Sequence, residues 1–260
     1  MKIYIVDAFT EHPYKGNPAA VCILDSEKSD QWMQNVASEM NLSETAFLIE
    51  ENEGYSLRWF TPEAEVDLCG HATLASAHIL WEESIFCGEE VRFITKSGWL
   101  SAKKIGQWIQ LNFPLEREQE SEAPIELVKG LGTDFIYVGK NRLDYLVEVE
   151  DEETLRNLQP NFHLLKTLKS RGIIVTSKAT RSQADFVSRC FYPALGVDED
   201  PVTGSAHCCL GPYWQRKLNK NDLIAIQLSK REGLLKLSVG TERILLSGQA
   251  VTTLRGDLLR

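Results

Sequence analysis

The sequence predicts an α+β fold of two pseudo-symmetric lobes, each a curled mixed or antiparallel β-sheet, barrel-like, around one central buried helix. Three observations predict it. The word RWFTP at Arg58 to Pro62 recurs as RCFYP at Arg189 to Pro193, 131 residues later. Each copy runs into a Gly-X-Ala helix start, Gly70-His71-Ala72 and Gly204-Ser205-Ala206, 134 residues apart. The helix that follows, ATLASAHILW or AHCCLGPYW, is apolar around most of its circumference, as a buried helix is. Matches in the same order at a nearly constant offset indicate an internal duplication.

In the first copy, KIYIVDAF and AAVCIL are β-rich runs. SDQWMQNVASEM is an amphipathic helix capped by Ser29 or Asp30 and stopped at Asn41, and ETAFLIE and YSLRWF read as strands. After the first apolar helix, ITKSGWLSAKKIGQWIQLNF resembles LSKREGLLKLSVGTERILLS of the second copy, Gly98 matching Gly233 and Ile109 matching Ile244 at an interval of 135. PLEREQESEAPIE, rich in Glu and bounded by Pro114 and Pro124, is the natural linker, so the lobes are expected over 1–112 and 125–247 with 113–124 between them. YLVEVE, DEETLRNL broken by Pro160, GIIVTS and ADFVSRCF then repeat the order, and Pro212 is expected to kink the second apolar helix. The two lobes would meet across a cleft.

Composition narrows the setting. At 260 residues either one large domain or two compact lobes could bury a core. A net charge of −9 with no Lys/Arg-rich block speaks against nucleic acid as a partner. No apolar run has the length of a bilayer span, and Asp7 interrupts the apolar N-terminus, which reads as a first strand and not as a leader. Six cysteines in a chain of this length, without a secretion signal, read as reduced thiols and point to the cytoplasm.

Cys69-Gly70-His71 poses three alternatives: a nucleophile with its base, a pair of metal ligands, or a helix start that holds an anion. Helix N-termini carry unsatisfied N–H groups and partial positive charge, and glycine admits a ligand closely. Two glycine-led starts could clamp one small carboxylate or its developing enolate. Pro201 restricts Asp200 to an extended conformation just outside the second start, where it caps the helix, orients substrate, or both. Ser43-Glu44 lies at the mouth of ETAFLIE, and Glu44 becomes an acid/base if partial burial raises its pKa. Cys69 and His71, two apart at a helix start, should not face each other, so Cys69 is read as packing or as a secondary acid/base. Neither Cys69, His71, His78 and Cys87 nor His207, Cys208 and Cys209 has the paired spacing of a zinc site, so no metal is expected. Asn17 reads as a turn former, and Trp81, Trp99 and Trp108 as core.

Taken together, DAFTEHPYKGNPAAV, NLSETAF, WFTPEAEVDLCGHATLASA and DEDPVTGSAH resemble, in this order, the phenazine-biosynthesis PhzF-like isomerases, relatives of diaminopimelate epimerase and proline racemase. The resemblance implies the diaminopimelate epimerase-like fold, an active site between the lobes, a homodimer, and cofactor-independent proton transfer on a small carboxylate-bearing substrate. It makes Glu44, His71 and Asp200 the catalytic candidates and Ser43, Gly70, Gly204 and Ser205 the substrate-binding ones. GQAVTTLRGDLL resembles the last strand, which crosses back, adding about 248–260 to the first lobe. In the racemase and epimerase relatives a cysteine precedes each helix-start glycine; here Cys69 is kept and Thr203 stands at the other position. A symmetric two-thiol mechanism is therefore not available, and the alternatives are an epimerase working through Glu44 and Cys69 or a carboxylate-binding protein without turnover.

Overall fold

The computed structural model describes residues 1–180 and 182–259. The chain forms two compact units, Met1–Asn112 with Leu245–Arg260, and Phe113–Ile244.

The first unit begins with strand β1 (Lys2–Ala8) and strand β2 (Asn17–Ile23), paired antiparallel. Gly16 makes the turn between them possible: its φ is +62°, and a Cβ there would lie 2.1 Å from the Ala8 carbonyl oxygen. Helix α1 (Asp30–Met40) starts where Ser29 accepts the Trp32 N–H and ends where Asn41 adopts the left-handed conformation, φ 51°. Its Met33, Val36 and Ala37 share one face and join Phe47 and Phe60 in a core. Strand β3 (Glu44–Glu51) runs parallel to β2, and β4 (Gly54–Phe60) folds back antiparallel on β3, with β5 (Glu65–Val66) at its end. Helix α2 (Gly70–Glu82) is buried along most of its length and packs on β1, β2 and β3. Its polar Thr73 and Ser76 donate back to the carbonyls of Cys69 and Ala72, at 2.6 and 2.7 Å, so they are satisfied inside the core. Strand β6 (Glu90–Thr95) pairs parallel with β4, and β7 (Gly98–Ile105) and β8 (Trp108–Pro114) follow as an antiparallel meander.

The second unit repeats this order. Strand β9 (Gln119–Glu120) and helix α3 (Ile125–Leu131) precede β10 (Tyr137–Lys140) and β11 (Asp144–Glu148), an antiparallel pair. Short helices α4 (Glu152–Asn157) and α5 (Phe162–Leu165) lead to β12 (Gly172–Lys178), parallel to β11, and β13 (Phe186–Tyr192), antiparallel to β12. Strand β14 (Val197–Asp200) pairs with β13 and precedes helix α6 (Gly204–Leu218). Strands β15 (Asp222–Gln227), β16 (Gly233–Val239) and β17 (Arg243–Gly248) follow, β15 parallel to β13 and antiparallel to β16. Finally the chain returns to the first unit, where β18 (Ala250–Asp257) pairs antiparallel with β1.

The pairing sequence antiparallel, parallel, antiparallel, parallel, antiparallel is thus the same through β1, β2, β3, β4, β6, β7 and through β10, β11, β12, β13, β15, β16. Gly70 and Gly204 are the first residues of the two buried helices. The duplicated α+β architecture expected from the repeated words is the one the chain adopts. Pro212 lies within α6 and removes the N–H that would bond the Cys208 carbonyl; the Glu116 N–H takes that carbonyl at 3.1 Å.

Two expectations are corrected. Trp99 is 55% exposed on β7 and Trp108 is half-buried on β8, because these strands turn one face to solvent, and Trp81, in the last turn of α2, is half-buried as well. Asn17 opens β2 and is fully buried, the turn being made by the residues before it. Residues 113–124 carry the end of β8, β9 and the buried Glu118, which is bound by Arg216. Among the described residues no helix is long and apolar enough to cross a membrane.

Candidate active site

In the first unit the parallel register of β2 and β3 brings Asn17 and Glu44, each the first residue of its strand, beside the start of α2. Glu44 Oε2 lies 3.2 Å from His71 Nε2, with side-chain exposures of 19% and 7%. The two atoms are at ion-pair distance but are not aligned as a hydrogen bond, and among the described residues neither has a hydrogen-bond partner. Each therefore keeps directional capacity for a third group. On the other side of the ring, His71 Nδ1 is 3.5 Å from Cys69 Sγ and 3.3 Å from the Asn17 side-chain amide, whose oxygen is 3.4 Å from Ser43 Oγ. Cys69, the N-cap of α2, is extended, with φ −143° and ψ 112°, and makes no side-chain cap.

That extended backbone corrects the expectation that Cys69 and His71 do not face each other. The spacing rule holds inside a helix, and Cys69 stands just before one. Asn17 is a site residue that sequence reasoning missed; only its place in the GNPAA word hinted at it.

Burial opposes a charged imidazole, yet the sulfur of Cys69 and the carboxylate of Glu44 raise the His71 pKa well above the ordinary histidine value. Burial pushes the Cys69 thiol up, so at neutral pH the sulfur is protonated and its attraction for a charged imidazole is lost, which leaves Glu44 as the anion that faces the ring. A charged His71 requires an acceptor at Nδ1, which Asn17 provides if its amide is turned to present Oδ1. Ligand atoms of Glu44, Cys69 and His71 lie within 4.8 Å of one another, close enough for a metal. Metal ligation needs a thiolate and a neutral imidazole, and both groups are shifted towards their protonated forms.

His71 is expected to remain an imidazolium above about pH 6.5, the ordinary midpoint. Because its folded pKa is raised, the ion pair's contribution to stability is complete below that pH and is lost as pH rises through the folded value. Following the His71 ring carbon-bound protons by NMR checks this, and Glu44→Gln should lower the midpoint; a midpoint unmoved by that change would remove Glu44 as the cause.

In the second unit, Asp200 ends β14 and accepts the hydroxyl of Thr203, the N-cap of α6. Gln227 holds both, its Oε1 accepting the Thr203 N–H at 2.9 Å and its Nε2 donating to the Asp200 carbonyl at 2.7 Å. Gly204 is buried and Ser205 half-buried at the start of α6. Arg171 donates to Ser205 Oγ at 3.2 Å while gripping Asp144 through Nε, at 2.9 Å, and Nη2. His207, pushed by burial down to about 4, is neutral and donates from Nδ1 to the Thr203 carbonyl at 2.8 Å. Ser43, Glu44, Cys69, Gly70 and His71 therefore gather in the first unit, and Asp200, Gly204 and Ser205 in the second. Thr203, inside the DEDPVTGSAH word, joins them, and so do Arg171, Asp144 and Gln227, which have no motif to announce them.

The profile of the family described as phenazine biosynthesis-like protein matches residues 6–256. The chain belongs to this PhzF family. It is 62% identical over 259 residues to an uncharacterized isomerase of Halalkalibacterium halodurans, covering 99% of this chain and 98% of that protein. An uncharacterized isomerase of Pseudomonas aeruginosa is 46% identical, with the same coverage. Among solved structures, a PhzF-family phenazine biosynthesis protein of Enterococcus faecalis superposes with a TM-score of 0.96 at 42% identity, covering 100% of this chain and 99% of that one. A hydroxyproline epimerase of Agrobacterium vitis shares the fold, with a TM-score of 0.64 at 9% identity, covering 98% and 91%. The isomerase class thus comes from PhzF relatives similar over the full chain, and the wider likeness is to epimerase-type folds.

Proposed function

We propose that this PhzF-family chain is an isomerase that transfers a proton on a small carboxylate-bearing substrate without a cofactor, with Glu44 as the proton carrier. One observation carries the reading: the Glu44 carboxylate is mostly buried, faces His71 Nε2 at 3.2 Å, and has an oxygen with no hydrogen-bond partner among the described residues. Glu44 takes a proton from a carbon of the substrate and returns it at another position. His71 holds the carboxylate in place and donates to the substrate from Nε2 when Glu44 turns towards the carbon. The N–H groups at Gly70 stabilise the negative charge that develops, and the start of α6 in the second unit, Gly204 and Ser205 beside Asp200, is assigned the same carboxylate-binding chemistry.

A second reading, an epimerase using Glu44 and Cys69, is favoured by the 3.5 Å separation of Cys69 Sγ from His71 Nδ1. The raised thiol pKa keeps Cys69 protonated at neutral pH, so little thiolate is present to take a proton from carbon, which weighs against it. To test the proposal, the enzyme is incubated in deuterated water with a panel of cyclic and acyclic hydroxy and amino acids, and NMR follows isomerised product and deuterium at carbon. At least one acid should isomerise. Several acids bound and none transformed would make the protein a carboxylate binder without turnover.

A further inference from the structure

Side chains of opposite charge, from positions one residue apart in the duplicated registers, approach the second residue of the buried helix in the two units. In the first, Glu44 pairs with Ala19, and Thr45 with Phe60, the third residue of RWFTP. In the second, Gly172 pairs with Asp144, and Ile173 with Phe191, the third residue of RCFYP. Gly172 therefore corresponds to Glu44 and Arg171 to Ser43, while the helix starts make Ser205 correspond to His71. A carboxylate cannot stand at 172, where a Cβ would lie 2.2 Å from the Tyr192 ring and 2.7 Å from the Phe191 carbonyl oxygen. What reaches the second residue of the helix in the second unit is the guanidinium of Arg171, 3.2 Å from Ser205 Oγ.

We infer that Arg171 is a positioning residue that fixes the polarity of Ser205, making its hydroxyl a donor to a bound carboxylate. A serine hydroxyl has one proton to give and two lone pairs, and a guanidinium only donates. Arg171 occupies a lone pair, so the Ser205 proton points elsewhere, and among the described residues no acceptor takes it. Asp144, 1% exposed, grips Nε and Nη2 and stops the guanidinium from swinging. The ion pair is neutral overall, so it acts through the direction of one hydroxyl and not through net charge. The inference rests on the proposed role of Ser205 in holding the substrate carboxylate.

The test uses the full chain, with benzoate as probe and benzamide as its uncharged counterpart, titrated calorimetrically. Arg171→Met alone would strand the buried Asp144 charge, so the pair is replaced together as Arg171→Met/Asp144→Leu, with circular dichroism and the unfolding midpoint as folding checks. Ser205→Ala and the paired replacement should each weaken benzoate binding about tenfold, the size of one misdirected hydrogen bond, and leave benzamide unchanged. Adding Ser205→Ala to the paired replacement should cost nothing further, since the two act through one hydroxyl. Wild-type-like benzoate binding by the paired replacement, or additive losses, would overturn the positioning role and leave the carboxylate site standing. If the wild-type chain prefers benzoate no more than benzamide, or Ser205→Ala changes nothing, the carboxylate-binding role of Ser205 fails and this inference with it.

Discussion

Glu44→Gln is expected to lower turnover by ~10²–10⁴-fold while the protein still binds carboxylates, the range for removing a general acid/base. Glutamine keeps the length and planarity of the side chain, so the start of β3 and its pairing with β2 should be undisturbed. What disappears is the carboxylate whose oxygen faces His71 at 3.2 Å and has no hydrogen-bond partner among the described residues. The loss should appear in kcat more than in KM, because the carboxylate is assigned to proton transfer and not to holding the substrate. Steady-state rates on whichever acid the panel identifies, beside circular dichroism of both proteins, provide the measurement. A loss under about tenfold would take Glu44 out of the central role. Cys69→Ala distinguishes the two readings of the site: a mild effect fits Glu44 acting with His71, and a loss as deep as that of Glu44→Gln fits the epimerase reading.

Trp214→Ala should be the most destabilising single truncation in α6, at about 3–5 kcal/mol, the cost of emptying a large aromatic site in a core. Trp214 is 2% exposed and stacks on Phe186 with centroids 5.6 Å apart and planes 7° apart. Its indole N–H donates to Thr176 Oγ1 at 2.9 Å, tying the helix to β12. Nearby groups have little freedom to close the cavity, since Phe186 and Thr176 sit in β13 and β12, which are paired with each other. For a chain of this size the melting temperature should fall by roughly 10 °C. Trp214→Phe keeps the stacking face and loses the hydrogen bond, so its cost should be nearer ~1–2 kcal/mol. Melting curves followed by tryptophan-independent circular dichroism measure both; equal losses would mean that packing against Phe186 contributes little.

Much of the fold was legible because it is encoded locally or by repetition. Ser29 and Asn41 bound α1 through chemistry that acts within one turn of the chain. The apolar circumference of ATLASAHILW marks a helix with no face left for water, and α2 is buried accordingly. RWFTP and RCFYP sit at the ends of β4 and β13 in the same pairing order, which two unrelated domains would have no reason to share. The exposed Trp99 was not legible, because a tryptophan's preference for burial says nothing about which face of a meander meets solvent.

By itself, the sequence determined the duplicated α+β plan, the two glycine-led buried helices and the family, all of which follow from short-range chemistry and from words long enough to be specific. Tertiary structure alone decided the partners of each site residue. Asn17 lies against His71 because the pairing of β2 with β3 sets the beginnings of both strands beside the start of α2, and no motif spans the 54 positions between the two. Cys69 turns towards His71 because the backbone is still extended one residue before the helix. Arg171 reaches Ser205 because the ring of Tyr192 fills the space beside Gly172, leaving the residue before it to face the helix. Each is a contact between residues that local propensity does not couple, made only when strands pair and a buried helix is seated, which is why composition and spacing could name several of the residues but not what they touch.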